Sequence, residues 1–387
     1  MKIAYFAGTL NDDGVSKVML RLADYAVRQG HEAIIITGYI RPDIVSPVKV
    51  IIVPAVKFPL YKEYRITAPG RMGFNSILKE FKPDLIHLHS PDPLSWAALN
   101  YGRRHKLPVL VTHHTAFDRY LPYYHLSWLE PVVWDLLGYL YNRSSLVNVP
   151  SPLIAEDLRN HGIKNLSVIP WGIDLQLFNP GKADFKWREG ITENKKQVVI
   201  LYAGRLTWYK DLRTLAATYQ ALQQVSAPNS FRMVVAGDGP AREELEKMMP
   251  GAVFTGHLKH AQLAEIYAAS DIFLFPSSTD NFPLVILEAM ASGLVPVVAD
   301  RGGAPTIIKH QENGLVCKAR EAEDFYQQVK GLLDNPAELA RLRAASLATA
   351  QEYDWEKILV KIFSLCQELV LKYGLKIERT EAMVYRK

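Results

Sequence analysis

Residues 276–301 read PSSTDNFPLVILEAMASGLVPVVADR, and this run restricts the fold more than any other stretch of the chain. It spells the end of a strand, a loop, a helix and the next strand. Leu284, Val285, Leu287, Ala289 and Met290 give the helix an apolar body, Gly293 stops it, and Pro296 opens the return strand. A parallel βαβ unit results, and ligands of such units sit outside the carboxyl ends of the strands, here at the loop 277–282. That loop and its helix carry two carboxylates eight residues apart, Asp280 and Glu288.

The same alternation runs through the rest of the chain. KIAYFA, AIIIT, VKVIIV, DLIHLH and VLVTH read as strands, interleaved with helical segments at 16–29, 72–81 and 93–105. After LVNVPS, IAEDLRNHG and LSVIP, the pattern resumes with VVILYAG, 211–223, RMVVAGDG, 242–249, AVFTG, 262–270 and DIFLFPS. Strands alternating with helices predict an α/β chain of doubly wound parallel sheets. At 387 residues the chain is too long for one ordinary core and predicts two domains, with the polar stretch 181–196 as their linker. GDGP at 237–240 lacks the third glycine of a dinucleotide fingerprint and reads as a strand-end turn.

No apolar run reaches the roughly 18 residues that span a bilayer. The longest candidate, 126–141, is broken by Glu130, Pro131 and Asp135. The first residues read as a strand without a cleavage region, so a cytoplasmic protein is expected. Cys317 and Cys366 have neither metal-ligand nor disulfide spacing and read as buried thiols. The net charge is +5, and residues 1–180, with 19 basic against 15 acidic side chains, hold +4 of it. That bias suits an anionic lipid surface or an acidic acceptor. Without a basic helix or an aromatic RNA motif it does not suit nucleic acid.

Between 112 and 145 the chain reads THHTAFDRYLPYYHLSWLEPVVWDLLGYLYNRSS. Leu129, Val132, Val133, Leu136, Leu137 and Leu140 fall at helical spacing and predict a core-packing helix. Upstream, Phe117, Tyr120, Leu121, Tyr123, Tyr124 and Trp128 crowd a loop beside Arg119 and His125, a composition that suits an interface. HLHSP at 87–91 also ends a strand, and His87 and His89 read as structural.

On Asp280, Phe282, Glu288, AMASG and VPVVA, the chain resembles the retaining glycosyltransferases of family 4, whose site reads E-x-F-G-x-x-x-x-E followed by A-M-A-x-G-x-P-V-V. Two positions depart: Asp280 replaces the first Glu and Pro283 the Gly, which implies an altered choice of sugar. AGRLTWYKD matches the family's G-R-x-x-x-x-K, and WGIDLQLFNP matches its exit from the first domain.

The resemblance implies a GT-B fold of two Rossmann-like domains facing one cleft: residues 1–175 for the acceptor, 176–355 for the nucleotide sugar, and a helix 356–387 crossing back. It implies Gly204, Arg205 and Lys210 at the diphosphate, aided by the N–H groups of Gly302 and Gly303 at the start of a helix. Glu288 would meet the ribose, Asp280 with Asn281 and Phe282 the hexose, beside Pro283 and Leu284, and Phe254 the base.

Gly14 stands at the family's first-turn glycines. His114 matches the histidine facing sugar and acceptor, with His113 close enough to compete. HHTAFDRYLPYY is similar to a segment of the family's membrane-glycolipid synthases and implies Tyr120 and Tyr124 at the acceptor, peripheral at the inner membrane face. The implied reaction moves a hexose from a UDP- or GDP-sugar to a lipid or glycan without cofactor or metal. The rival readings are a noncatalytic sugar-nucleotide-binding subunit and a nucleotide-sugar epimerase.

Overall fold

The computed structural model describes residues 1–384 except 12, 59–60, 68–72, 115–125, 226 and 228. The chain divides into two compact units. Met1–Pro170 with Leu359–Lys387 forms the first, and Trp171–Ile358 the second.

The first unit contains strands β1 (Lys2–Ala7), β2 (Glu32–Thr37), β3 (Lys49–Ile52), β4 (Ala55–Phe58), β5 (Tyr61–Thr67), β6 (Leu85–Leu88), β7 (Val109–Thr112), β8 (Leu146–Val149) and β9 (Leu166–Val168). Seven of these make a parallel sheet in the order β3-β2-β1-β6-β7-β8-β9, while β4 and β5 pair antiparallel. Strand β6 is buried along its whole length, as a parallel strand covered on both faces must be. Helices Gly14–Arg28, Pro93–Arg104 and Pro152–Asn160 start where Asp13, Asp92 and Ser151 accept a backbone N–H three residues on. From the C-terminal helix Trp355–Val384, Phe363 stacks on His31 and meets the Tyr25 ring at a tilt, and Tyr373 meets the Ser145 hydroxyl at 2.6 Å.

Helix Glu130–Arg143 meets the core-packing expectation in part, with Val133 and Trp134 also packed against the core. It buries Leu137, Leu140 and Tyr141, but Val132 and Leu136 are 51% and 43% exposed. At 100° per residue Val132 and Tyr139 lie nearly opposite Leu137 and Leu136 lies to its side, so the apolar stripe is wider than the one face that is covered.

The second unit contains β10 (Val198–Ala203), β11 (Phe231–Ala236), β12 (Val253–Gly256), β13 (Ile272–Phe275), β14 (Val295–Ala299) and β15 (Leu315–Cys317), all parallel in the order β12-β11-β10-β13-β14-β15. The stretch read as a linker is part of this unit. Asp184 caps a helix over Phe185–Ile191, and Arg188 from that helix donates to Ala269 O at 2.7 Å, Gln197 O at 3.0 Å and the Asp271 carboxylate at 2.7 Å. Asp271, nearly buried, also accepts from Val199 N and pairs with Arg343, so one acid ties the helix to the sheet.

Candidate functional site

Strand order reverses direction between β10 and β13 in the second unit, and between β1 and β6 in the first. Such reversals open a crevice at the carboxyl ends of the strands, where open α/β sheets bind ligands.

In the second unit, Gly204 follows β10 with a φ of +155°, a value that favours glycine, and its N–H donates to Ala236 O at 3.0 Å. A Cβ on Gly237 would stand 1.9 Å from Gly204 O, and one on Gly239 would stand 2.4 Å from Leu206 O. The glycines of GDGP therefore serve close packing against the 204–206 loop. Arg205 is exposed at the head of that loop. Lys210 ends the short turn Trp208–Lys210, and its ammonium donates to Asp280 Oδ1, from the loop after β13. Asp280 Oδ2 accepts from Ser277 Oγ at 2.7 Å. The two side chains are 14% and 20% exposed.

The same two loops are joined twice more. Asp211, in the left-handed region at a φ of +54°, accepts from the Ser278 N–H at 3.0 Å, the Ser278 hydroxyl and Arg320 Nε at 3.0 Å. Thr279 Oγ1 donates to Tyr209 O at 3.2 Å. Sequence reading took Asp211 only as the first residue of a helix, and nothing in its local pattern points to Ser278, 67 residues away.

Phe282 is buried with its ring 6.3 Å from Tyr353, and Pro283 precedes the helix Leu284–Ala291. Glu288 is the buried acid of that otherwise apolar helix. Beneath it the Tyr267 phenol is pushed well up by burial and then by Glu288, and the Tyr202 phenol by burial and then by Asp280. Phe254 lies on β12, two strands from β10.

One expectation is corrected here. Gly303 donates its N–H to Asp280 O at 2.6 Å, and only the three-residue turn Ala304–Thr306 follows, so this pair does not open a helix toward a phosphate. A Cβ on Gly303 would stand 1.8 Å from Asn281 O. The glycines let the Asp280 loop close against the next strand end.

In the first unit the carboxyl ends of β6 and β7 carry four histidines. His113 Nδ1 lies 2.9 Å from the Tyr141 hydroxyl, and His87 Nε2 lies 2.8 Å from Thr112 Oγ1. His89, read from sequence as structural, contacts His114, with Nδ1 2.9 Å from His114 Nε2. Burial pushes His87 and His114 down to about 3 and His89 well below its usual value, with like-charge neighbours adding to the shift on His89 and His114. Gly14 is the first residue of its helix, and an added Cβ there would meet nothing within 4 Å. Tyr120 and Tyr124, with Phe117, Arg119, Leu121, Tyr123 and His125, lie outside the described residues.

Two Rossmann-like units, each with its polar groups at a switch point, define the GT-B fold. Sucrose-phosphate synthase from Thermosynechococcus elongatus superposes with a TM-score of 0.79 at 20% identity, covering 96% of this chain and 99% of that one. The family model for Glycosyltransferase Family 4 matches residues 13–177, and that for Glycosyl transferases group 1 matches 184–348. The chain is 28% identical over 383 residues to a GDP-mannose-dependent alpha-mannosyltransferase of Corynebacterium glutamicum, covering 97% of this chain and 89% of that one. It is 30% identical over 348 residues to the sulfoquinovosyl transferase SQD2 of Arabidopsis thaliana, covering 87% and 67%. The chain belongs to glycosyltransferase family 4.

Proposed function

We propose that the protein transfers a hexose from a nucleoside diphosphate hexose to a glycan or lipid acceptor, with retention of configuration and without a metal ion or other cofactor. The observation that carries this reading is the pairing of Lys210 with Asp280 across the switch point of the second sheet. A diphosphate bound there meets the cations of Arg205 and Lys210 beside Gly204, which stabilise the charge that develops as it leaves. Glu288 takes the ribose hydroxyls. Asp280 and the backbone of Asn281 and Phe282 take the hexose hydroxyls, flanked by Pro283 and Leu284, and the region of Phe254 takes the base.

The mannosyltransferase relative makes GDP-mannose the first donor to try, and UDP-hexoses the second. In the first unit we assign His114 to the acceptor side of the reaction, and Gly14 to backbone approach of a substrate. Attack on the face that the diphosphate leaves, with a departing phosphate oxygen taking the acceptor proton, gives retention without a side-chain nucleophile. A lipid acceptor and an anionic membrane surface are supported by the exposed apolar face of Trp128, Val132, Leu136 and Tyr139. No helix among the described residues is long and apolar enough to cross a membrane.

The test is a donor-hydrolysis screen with GDP-mannose, UDP-glucose, UDP-galactose and ADP-glucose, with and without EDTA. Release of nucleoside diphosphate from one of them, unchanged by EDTA, is expected. No release from any, or an epimerised donor without release, overturns the transferase reading of the site, and loss of release in EDTA overturns metal independence.

A further inference from the structure

His89 is 2% exposed, and its backbone N–H donates to Phe6 O at 2.8 Å, which anchors it at the end of β6. Its ring Nδ1 lies 2.9 Å from His114 Nε2, and only one hydrogen fits between the two nitrogens. If His114 supplied it, a neutral His89 would carry its own proton on Nε2. Among the described residues no group hydrogen-bonds His89 Nε2. A buried N–H without an acceptor is rarer and costlier than a bare acceptor in the same place. The hydrogen therefore belongs to His89 Nδ1. His114, accepting at Nε2, must then carry its proton on Nδ1.

We infer that His89 fixes the tautomer of His114, so that His114 carries its proton on Nδ1 and acts as a hydrogen-bond donor and not as a base. The functional half of this inference rests on the assignment of His114 to the acceptor side, and the tautomer does not. His89 is a positioning residue: it touches His114 and acts through it. The neutral state the argument needs follows from desolvation, which keeps both rings uncharged at neutral pH. No local pattern in HLHSP signals the contact, since 25 residues separate the two rings.

Long-range proton–nitrogen correlation spectra of the full-length, 15N-histidine protein test the tautomer directly, because protonated and bare ring nitrogens resonate far apart. His114 protonated at Nδ1 and bare at Nε2 is expected, and the reverse overturns the inference whether or not any variant folds. In His89→Asn the amide N–H replaces Nδ1–H, so the His114 tautomer and turnover persist. In His89→Leu the donor is gone. Its kcat for hydrolysis of GDP-mannose, or of whichever screened donor the wild type cleaves, falls roughly tenfold or more with little change in KM, the usual scale for losing an orienting partner. Wild-type turnover in His89→Leu overturns the positioning role. A confirmed tautomer with undiminished turnover in His114→Ala leaves the hydrogen-bond assignment standing and removes His114 from the reaction.

Discussion

Lys210 and Asp280, 70 residues apart in sequence, share a hydrogen bond between the strand ends of β10 and β13, and the second oxygen of Asp280 is held by Ser277. The cation assigned to the diphosphate and the acid assigned to the hexose are thus one coupled pair. Loss of either changes the environment of the other.

Arg205→Ala and Lys210→Ala are each expected to lower turnover at least about a hundredfold, the scale for removing one preorganised group that meets developing charge. They differ in stability. Arg205 is exposed, so its loss leaves unfolding in urea nearly unchanged, while Lys210→Ala leaves Asp280 without its charged donor and costs about 1.5–3 kcal/mol. Near-normal turnover in either variant removes the diphosphate assignment.

Glu288→Ala is expected to weaken binding of GDP or UDP by about 1.5–3 kcal/mol, since a nearly buried carboxylate loses charge-assisted hydrogen bonds to the ribose. Asp280→Ala also weakens it, through Lys210, and the double variant Lys210→Ala with Asp280→Ala falls short of the sum of the two. Calorimetry with the nucleoside diphosphate alone measures all three. Strict additivity would show that the Lys210–Asp280 pair does not act in binding.

His87, His89 and His114 make stability depend on acid. His87 and His114 are pushed down to about 3 and His89 well below 6.5, so on acidification the unfolded chain takes up protons near pH 6.5 that the folded chain refuses. Their contribution is complete above pH 6.5 and is lost as pH falls toward 3, at about 1.4 kcal/mol per pH unit for each. Urea unfolding at pH 7 and pH 5.5 reads this loss. Equal stability at the two values contradicts neutral burial.

Membrane docking is expected to appear as cosedimentation with anionic vesicles at low salt, release at high salt, and a blue shift of Trp128 emission. Trp128 is 72% exposed beside Val132 and Leu136, so Trp128→Ser weakens the docking without loss of fold. Protein that stays in the supernatant at low salt favours a soluble acceptor.

The helix Leu284–Ala291, the loop bearing Asp280 before it and the strand after it were legible in 276–301, because a parallel strand buried on both faces must be a continuous apolar run and its loop must lie at the strand end. The alternation that predicts two parallel sheets is legible for the same reason. What the sequence left open are pairings between distant residues. Arg188 turns a polar stretch into part of the second unit by reaching Asp271, 83 residues on. Asp211 grips Ser278, Gly303 gives its N–H to Asp280 O, and Val132 and Leu136 from the apolar stripe of the helix Glu130–Arg143 face outward. Local propensity and hydrophobic period specify elements and faces, whereas a hydrogen bond needs a donor and an acceptor about 3 Å apart, a distance that exists only once the strands are stacked in order. The meeting of His89 with His114 belongs to that second kind, and tertiary structure alone decided it.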